Sequence, residues 1–108
     1  MTYSPIPSNH FTLVDSHPTR PALIVEVVQS DLRVARGRKA AAYARARIAD
    51  YWIVNLIDRV LEVHREPMRP GPAVQHWGYA AIETLGADAR ITPLAAPSAG
   101  IRVADLLP

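Results

Sequence analysis

Cysteine is absent from the 108 residues, which rules out both a disulfide framework and a thiolate zinc site. Lysine is nearly absent: eleven of the twelve basic side chains are arginine and one, Lys39, is lysine. Acidic residues are missing from Leu32 to Ala49, a stretch that carries Arg33, Arg36, Arg38, Lys39, Arg45 and Arg47. No apolar run is long enough for a membrane span, and the start, MTYSPIPSNH, lacks the basic and apolar segments of a secretory signal. A single cytoplasmic domain with no membrane partner is the expectation. The 49% apolar and 20% charged content is that of an ordinary globular protein.

The net charge of +2 is too small to argue for nucleic acid by itself, so its distribution carries the information. An acid-free block of arginines, with Arg33, Arg36, Arg38 and Arg45 as the candidate contacts, can be a phosphate-binding face. It can equally be the solvated side of a helix. The lone lysine poses a sharper question. Arginine is a permanently charged planar fork, whereas lysine is a compact charge on a flexible stem that can enter a catalytic cluster. A chain that uses arginine elsewhere and lysine once points to a place that needs an ammonium, although a snorkelling surface lysine would look the same.

Local patterns place these residues. Residues 1–21 hold four prolines without sustained periodicity and read as an irregular arm or a damaged first strand, leaving 22–108 as the domain. Ala22 to Val28 (ALIVEVV) reads as a buried strand interrupted by one carboxylate. Ser30 is a suitable N-cap for a helix running to about Ile48. On a helical wheel Lys39 shares its inward face with Leu32, Ala35, Tyr43 and Ala46. Tyr51 to Leu56 reads as a second buried strand, Asn55 to Arg59 as a turn, and Val60 to Arg65 as a half-exposed strand. Glu66 to Pro72, with three prolines and a glycine, reads as a loop. Trp77 to Leu85 and Arg90 to Leu94 are further strands, and Ile101 to Leu107 a closing strand or helical turn. The sum is an α/β (α+β) fold, a mixed β-sheet with one long helix packed on it.

Glu26 breaks its local pattern. A carboxylate inside a strand of Leu, Ile and Val is costly unless it is paired, hydrogen-bonded or bound to a cation. The helix can lay Lys39 and Tyr43 across the same sheet face. That trio suits metal-assisted phosphodiester hydrolysis, with the carboxylate on a hard divalent ion and the lysine beside the attacking water. A plain salt bridge pinning helix to sheet uses the same residues. The histidines His10, His17, His64 and His76 lack the spacing of a histidine metal site. Tyr51 and Trp52 read as core, and Trp77 and Tyr79 as sheet-face packing rather than a base-stacking platform.

The segments HPTRPALIVEV, RKAAAYARARIADYW, IVNLIDRVLEVHREP and PLAAPSAGIRVADLLP, in that order, resemble the Uma-two family of bacterial restriction-type endonucleases, assigned to the PD-(D/E)xK nuclease superfamily. The resemblance implies a restriction-endonuclease-like core and Mg²⁺-dependent cleavage of DNA. It implies that Glu26 and the main-chain carbonyl of Val27 hold the metal, with Lys39 as the catalytic lysine and Tyr43 one turn on. Three positions depart from the family pattern. Residues 1–10 contain no acid to serve as the first metal-binding Asp, and Asp15 is the one carboxylate upstream of Glu26. Ala35 stands where relatives carry an Asp, and Arg47 where they end the helix with a left-handed glycine. The expectation is a truncated or decayed relative with impaired cleavage, self-associating through exposed sheet surface as a homodimer. The alternative is a non-catalytic remnant that binds nucleic acid or a partner through the basic helix.

Overall fold

The structure is a computed structural model that describes residues 9–14, through their backbone, and 21–108. Five strands form one sheet in chain order: β1 (Asn9–Val14), β2 (Pro21–Val28), β3 (Asp50–Asn55), β4 (Val60–Met68) and β5 (Gly78–Leu85). All neighbours are antiparallel except β2 and β3. Parallel neighbours need a crossover, and the basic segment supplies it as a helix. The mixed sheet with one packed helix agrees with the fold read from the sequence. Strand β1 lies inside the stretch read as an irregular arm or damaged first strand; residues 1–8 and 15–20 of that stretch lie outside the described residues.

Both faces of the sheet are covered. On one, Ile24, Val28, Tyr51 and Ile53 pack against Ala35, Ala40, Ala44 and Ile48 of the helical segment. On the other, Leu23, Trp52, Val54, Leu61 and Val63 pack against the C-terminal segment. That segment consists of the short pair β6 (Arg90–Ile91) and β7 (Ile101–Arg102) followed by a 3₁₀ turn, Val103–Leu106. Double coverage corrects the reading of β4 as half-exposed. Its alternation does separate two faces, but Glu62 and His64 lie under the helix and are buried. The loop expected from Glu66 is also displaced: β4 continues to Met68, with Pro67 opposite Tyr79. Strand β3 stops at Asp50 opposite Arg65, so beyond that point β4 pairs with β5 alone, an edge setting in which proline is tolerated.

The helix departs from the regular wheel in a way that shapes the site. Residues Ala35–Lys39 form a π-helical turn that runs into α1 (Ala40–Arg45). The buried alanines are therefore Ala35, Ala40 and Ala44, spaced by five and then four, and Ala46 is exposed rather than inward. A wide turn leaves main-chain groups without their i−4 partners. The Tyr51 hydroxyl donates to the carbonyl of Ala35, in this turn, at 2.8 Å. Burial first, and then the nearby Glu26, push the Tyr51 phenol far above its ordinary pKa, so it stays a donor. Tyr51→Phe is expected to cost about 1 kcal/mol in chemical denaturation, the net worth of one buried hydrogen bond.

The helix ends fit local chemistry. The Asp31 carboxylate, rather than Ser30, accepts the Arg33 backbone N–H at the start. At the other end Arg47 N–H reaches the Ala44 carbonyl and Ile48 N–H the Tyr43 carbonyl, with Arg47 at φ 62°. This is a Schellman closure with arginine in the left-handed position that glycine would fill more easily.

Candidate functional site

Glu26 projects from β2 beneath the helix and is fully buried. Lys39 Nζ lies 3.2 Å from its Oε1, and the Tyr43 hydroxyl donates to its Oε2 at 2.7 Å. The three residues singled out in the sequence therefore converge. Lys39 ends the π turn, and Tyr43 follows one α-helical turn later on the same flank. Burial, followed by the hydrogen bond to Glu26, drives the Tyr43 phenol well above its ordinary pKa, which keeps it a donor to the carboxylate. The Lys39 side chain retains 17% exposure against none for Glu26, and Tyr43 is also partly exposed.

A second carboxylate on the same face was not visible as a site element in the sequence. Glu26 pairs in register with Ile53, and Ile53 with Glu62, so the two acids lie two strands apart, about 10 Å at the backbone. Glu62 is claimed by Arg36, which reaches both of its oxygens at 3.0 and 2.6 Å, and by Asn55 Nδ2 at 3.0 Å. Burial pushes the Glu62 carboxyl up, but Arg36 and Asn55 together outweigh it and hold the group below its usual range. Asn55 also clasps Asp58, closing the β3–β4 turn. The spacing of Arg36 and Lys39 thus gives each buried acid its own cation.

The basic helix is less available to phosphate than its composition implies. Arg33 is folded onto Asp31 at 2.9 Å and Arg36 onto Glu62. Arg38 and Arg45 are exposed. Arg47 stacks 5.6 Å above the Trp77 ring.

His64, also on this face, sits between Tyr51 and Tyr79 and is 3% exposed. Its Nδ1 is buried with no hydrogen-bond partner among the described residues. Burial lowers its pKa below the usual 6.5, with Glu62 opposing. The unfolded chain therefore binds the proton more readily than the folded one. The stabilisation from a neutral His64 is complete above about pH 6.5 and declines as pH falls from there through the folded pKa. Thermal melts at about pH 7.5 and about pH 5.5 should show a loss of Tm on acidification that His64→Phe reduces.

On the opposite face Asp50, another residue not singled out in the sequence, is fully buried at the start of β3. It accepts from Trp52 Nε1 at 2.7 Å, from Arg65 Nε at 2.9 Å and from the Leu94 backbone at 2.9 Å. Arg65 continues to the Thr92 carbonyl at 2.6 Å. Asp50 thereby ties the C-terminal segment to the sheet and takes no part in the Glu26 cluster.

A comparison with protein families decides what kind of chain this is. The family model for Uma2, described as "Putative restriction endonuclease", matches residues 7–104. The chain belongs to the Uma2 family. No curated protein and no solved structure gives a match. The Uma2 match takes in β1 as well as the Glu26 strand, so it begins earlier than the segments that carry the resemblance in sequence. Nucleases usually employ a divalent metal, and the residues here can be tested against that need. Glu26 has both oxygens engaged, Glu62 is committed to Arg36, and the described residues contain no group of three or more His, Cys, Asp or Glu able to hold an ion. Mg²⁺ demands a near-ideal oxygen octahedron and dehydrates reluctantly. One carboxylate and the Val27 carbonyl do not make a dedicated Mg²⁺ site. No helix among the described residues is long and apolar enough to cross a membrane.

Proposed function

We propose that Glu26, Lys39 and Tyr43 form the hydrolytic centre of a restriction-type DNA endonuclease whose Mg²⁺-dependent cleavage is impaired. One observation carries the reading: a fully buried carboxylate is clasped by a lysine and a tyrosine from one helix, in a chain of a restriction-endonuclease family. Phosphodiester hydrolysis requires that charge gathering on the phosphoryl oxygens be offset and that the attacking water be oriented. In this reading Lys39 would serve both, and its partly exposed side chain beside Glu26 supports that role. Tyr43 fixes the Glu26 rotamer by its hydrogen bond and keeps the carboxylate aligned with the lysine.

Two features support impairment over full activity. The second carboxylate on this face, Glu62, is held by Arg36 and Asn55, and Glu26 itself is closed to solvent. Purified chain with supercoiled plasmid and Mg²⁺ should therefore nick slowly at high protein concentration and stop on chelation. Complete cleavage at catalytic protein levels, or nicking indifferent to chelation, would contradict the proposal.

The competing reading, nucleic-acid binding through the basic helix without chemistry, draws on the exposed Arg38 and Arg45. If DNA is bound there, Arg38→Ala and Arg45→Ala should each flatten the salt dependence of binding by about one phosphate contact. Arg33→Ala should change it far less, since that guanidinium already serves Asp31.

A further inference from the structure

A cavity of about 480 Å³ lies between the helical segment and strands β4 and β5, within the range of about 300–1,000 Å³ typical of small-molecule sites. Ala40 and Ala41, next to Lys39 in the chain, border it, so one helix serves both the Glu26 cluster on β2 and this cavity. Much of the wall is apolar, through Ala41, Met68, Trp77 and Ile82. Arg36, Arg38, His64 and His76 supply its basic groups, and no carboxylate lines it. Such a wall selects an anion with an apolar body.

Three residues narrow the ligand further. Arg38 is exposed and takes part in no ion pair among the described residues. Its planar fork matches phosphate. Trp77, with Arg47 5.6 Å above its ring, adds an indole against which a flat ring can stack. His64 is 3% exposed, and its Nδ1 has no hydrogen-bond partner among the described residues. A buried imidazole in that state favours a ligand that carries hydrogen-bonding atoms into the cavity, which an acyl chain lacks and the edge of a nucleobase has.

We propose that the cavity receives one unstacked nucleotide of a DNA strand, its base beside Trp77 and His64 and its phosphate on Arg38. The inference rests on the hydrolytic reading for the strand as the source of the nucleotide, and it names the part of the substrate held next to that centre.

Calorimetric titration of the full chain in the presence of chelator tests it, with a short single-stranded DNA, an abasic strand of the same length and free dAMP as probes. The intact strand is expected to bind at least about tenfold more tightly than the abasic strand, which carries the same phosphates. Ala41→Phe, which fills the cavity, should abolish that difference and leave the affinity for the abasic strand unchanged. Gly37→Phe, at a lining position where a Cβ would meet no heavy atom within 4 Å, carries the test if the first variant does not fold. Intact and abasic strands that bind the native chain equally, or a difference that survives in the filled variants, overturn the proposal. Free dAMP that binds as tightly as the intact strand overturns the strand as the occupant. Plasmid nicking by native and Lys39→Met chains, scored separately in Mg²⁺, decides the hydrolytic reading, so each can fail without the other.

Discussion

Lys39→Met is expected to lower plasmid cleavage at least about a hundredfold, the usual consequence of removing one preorganised charge from a transition state. Methionine preserves the length and apolar stem of the side chain and deletes only the ammonium. The stability cost should be smaller in consequence, about 1–3 kcal/mol, because Glu26 keeps its hydrogen bond from Tyr43. Arginine is not expected to rescue. Its planar fork is bulkier than the ammonium now 3.2 Å from Glu26 Oε1 in a largely covered space. Single-turnover nicking rates and denaturation curves for native, Lys39→Met and Lys39→Arg chains check both halves of the expectation.

Asp50→Ala should produce the largest loss of stability, about 3–5 kcal/mol, a substantial part of what a domain of this size possesses. The substitution removes a buried anion and leaves the Arg65 guanidinium, the Trp52 indole N–H and the Leu94 N–H facing a void. It also cuts the connection through which Arg65 and Thr92 hold the C-terminal segment against Trp52 and Val54. Denaturant melts should show a lowered midpoint, and hydrogen exchange should show residues 90–106 losing protection first. The Glu26 cluster lies on the other face, so variants that remain folded should keep the cleavage properties of the native chain.

The contrast between these two acids shows what could be read in advance. Glu26 was legible because one carboxylate in a β-branched run must find a cation, and Lys39 because it is the sole lysine. Arg47 was marked only through the family resemblance, as standing where relatives have a helix-ending glycine, and its φ of 62° is the left-handed conformation such a glycine would take. Glu62 and Asp50 were not legible. An acid in an alternating strand reads as solvent-facing until a helix covers that face, and an acid at a strand's first residue resembles a turn residue. Their partners, Arg36 and Arg65, are distant in sequence and indistinguishable by composition from nine other arginines. The π turn was equally hidden. A five-residue spacing between Ala35 and Ala40 carries no compositional mark in a run of small residues, yet it decides which side chains face the sheet. The basic block was visible, but composition could not show that Arg33 and Arg36 already serve carboxylates of the same chain.

The double variant Glu26→Gln/Lys39→Met tests the central claim most directly, because it separates a hydrolytic cluster from a salt bridge that merely pins helix to sheet. Removing both charges leaves a neutral amide that can still accept from Tyr43, so stability should return to within about 1 kcal/mol of native. If the cluster performs hydrolysis, plasmid nicking should remain at least about a hundredfold below native despite that recovery. Nicking that recovers together with stability would contradict the account and reduce Glu26 and Lys39 to a structural ion pair.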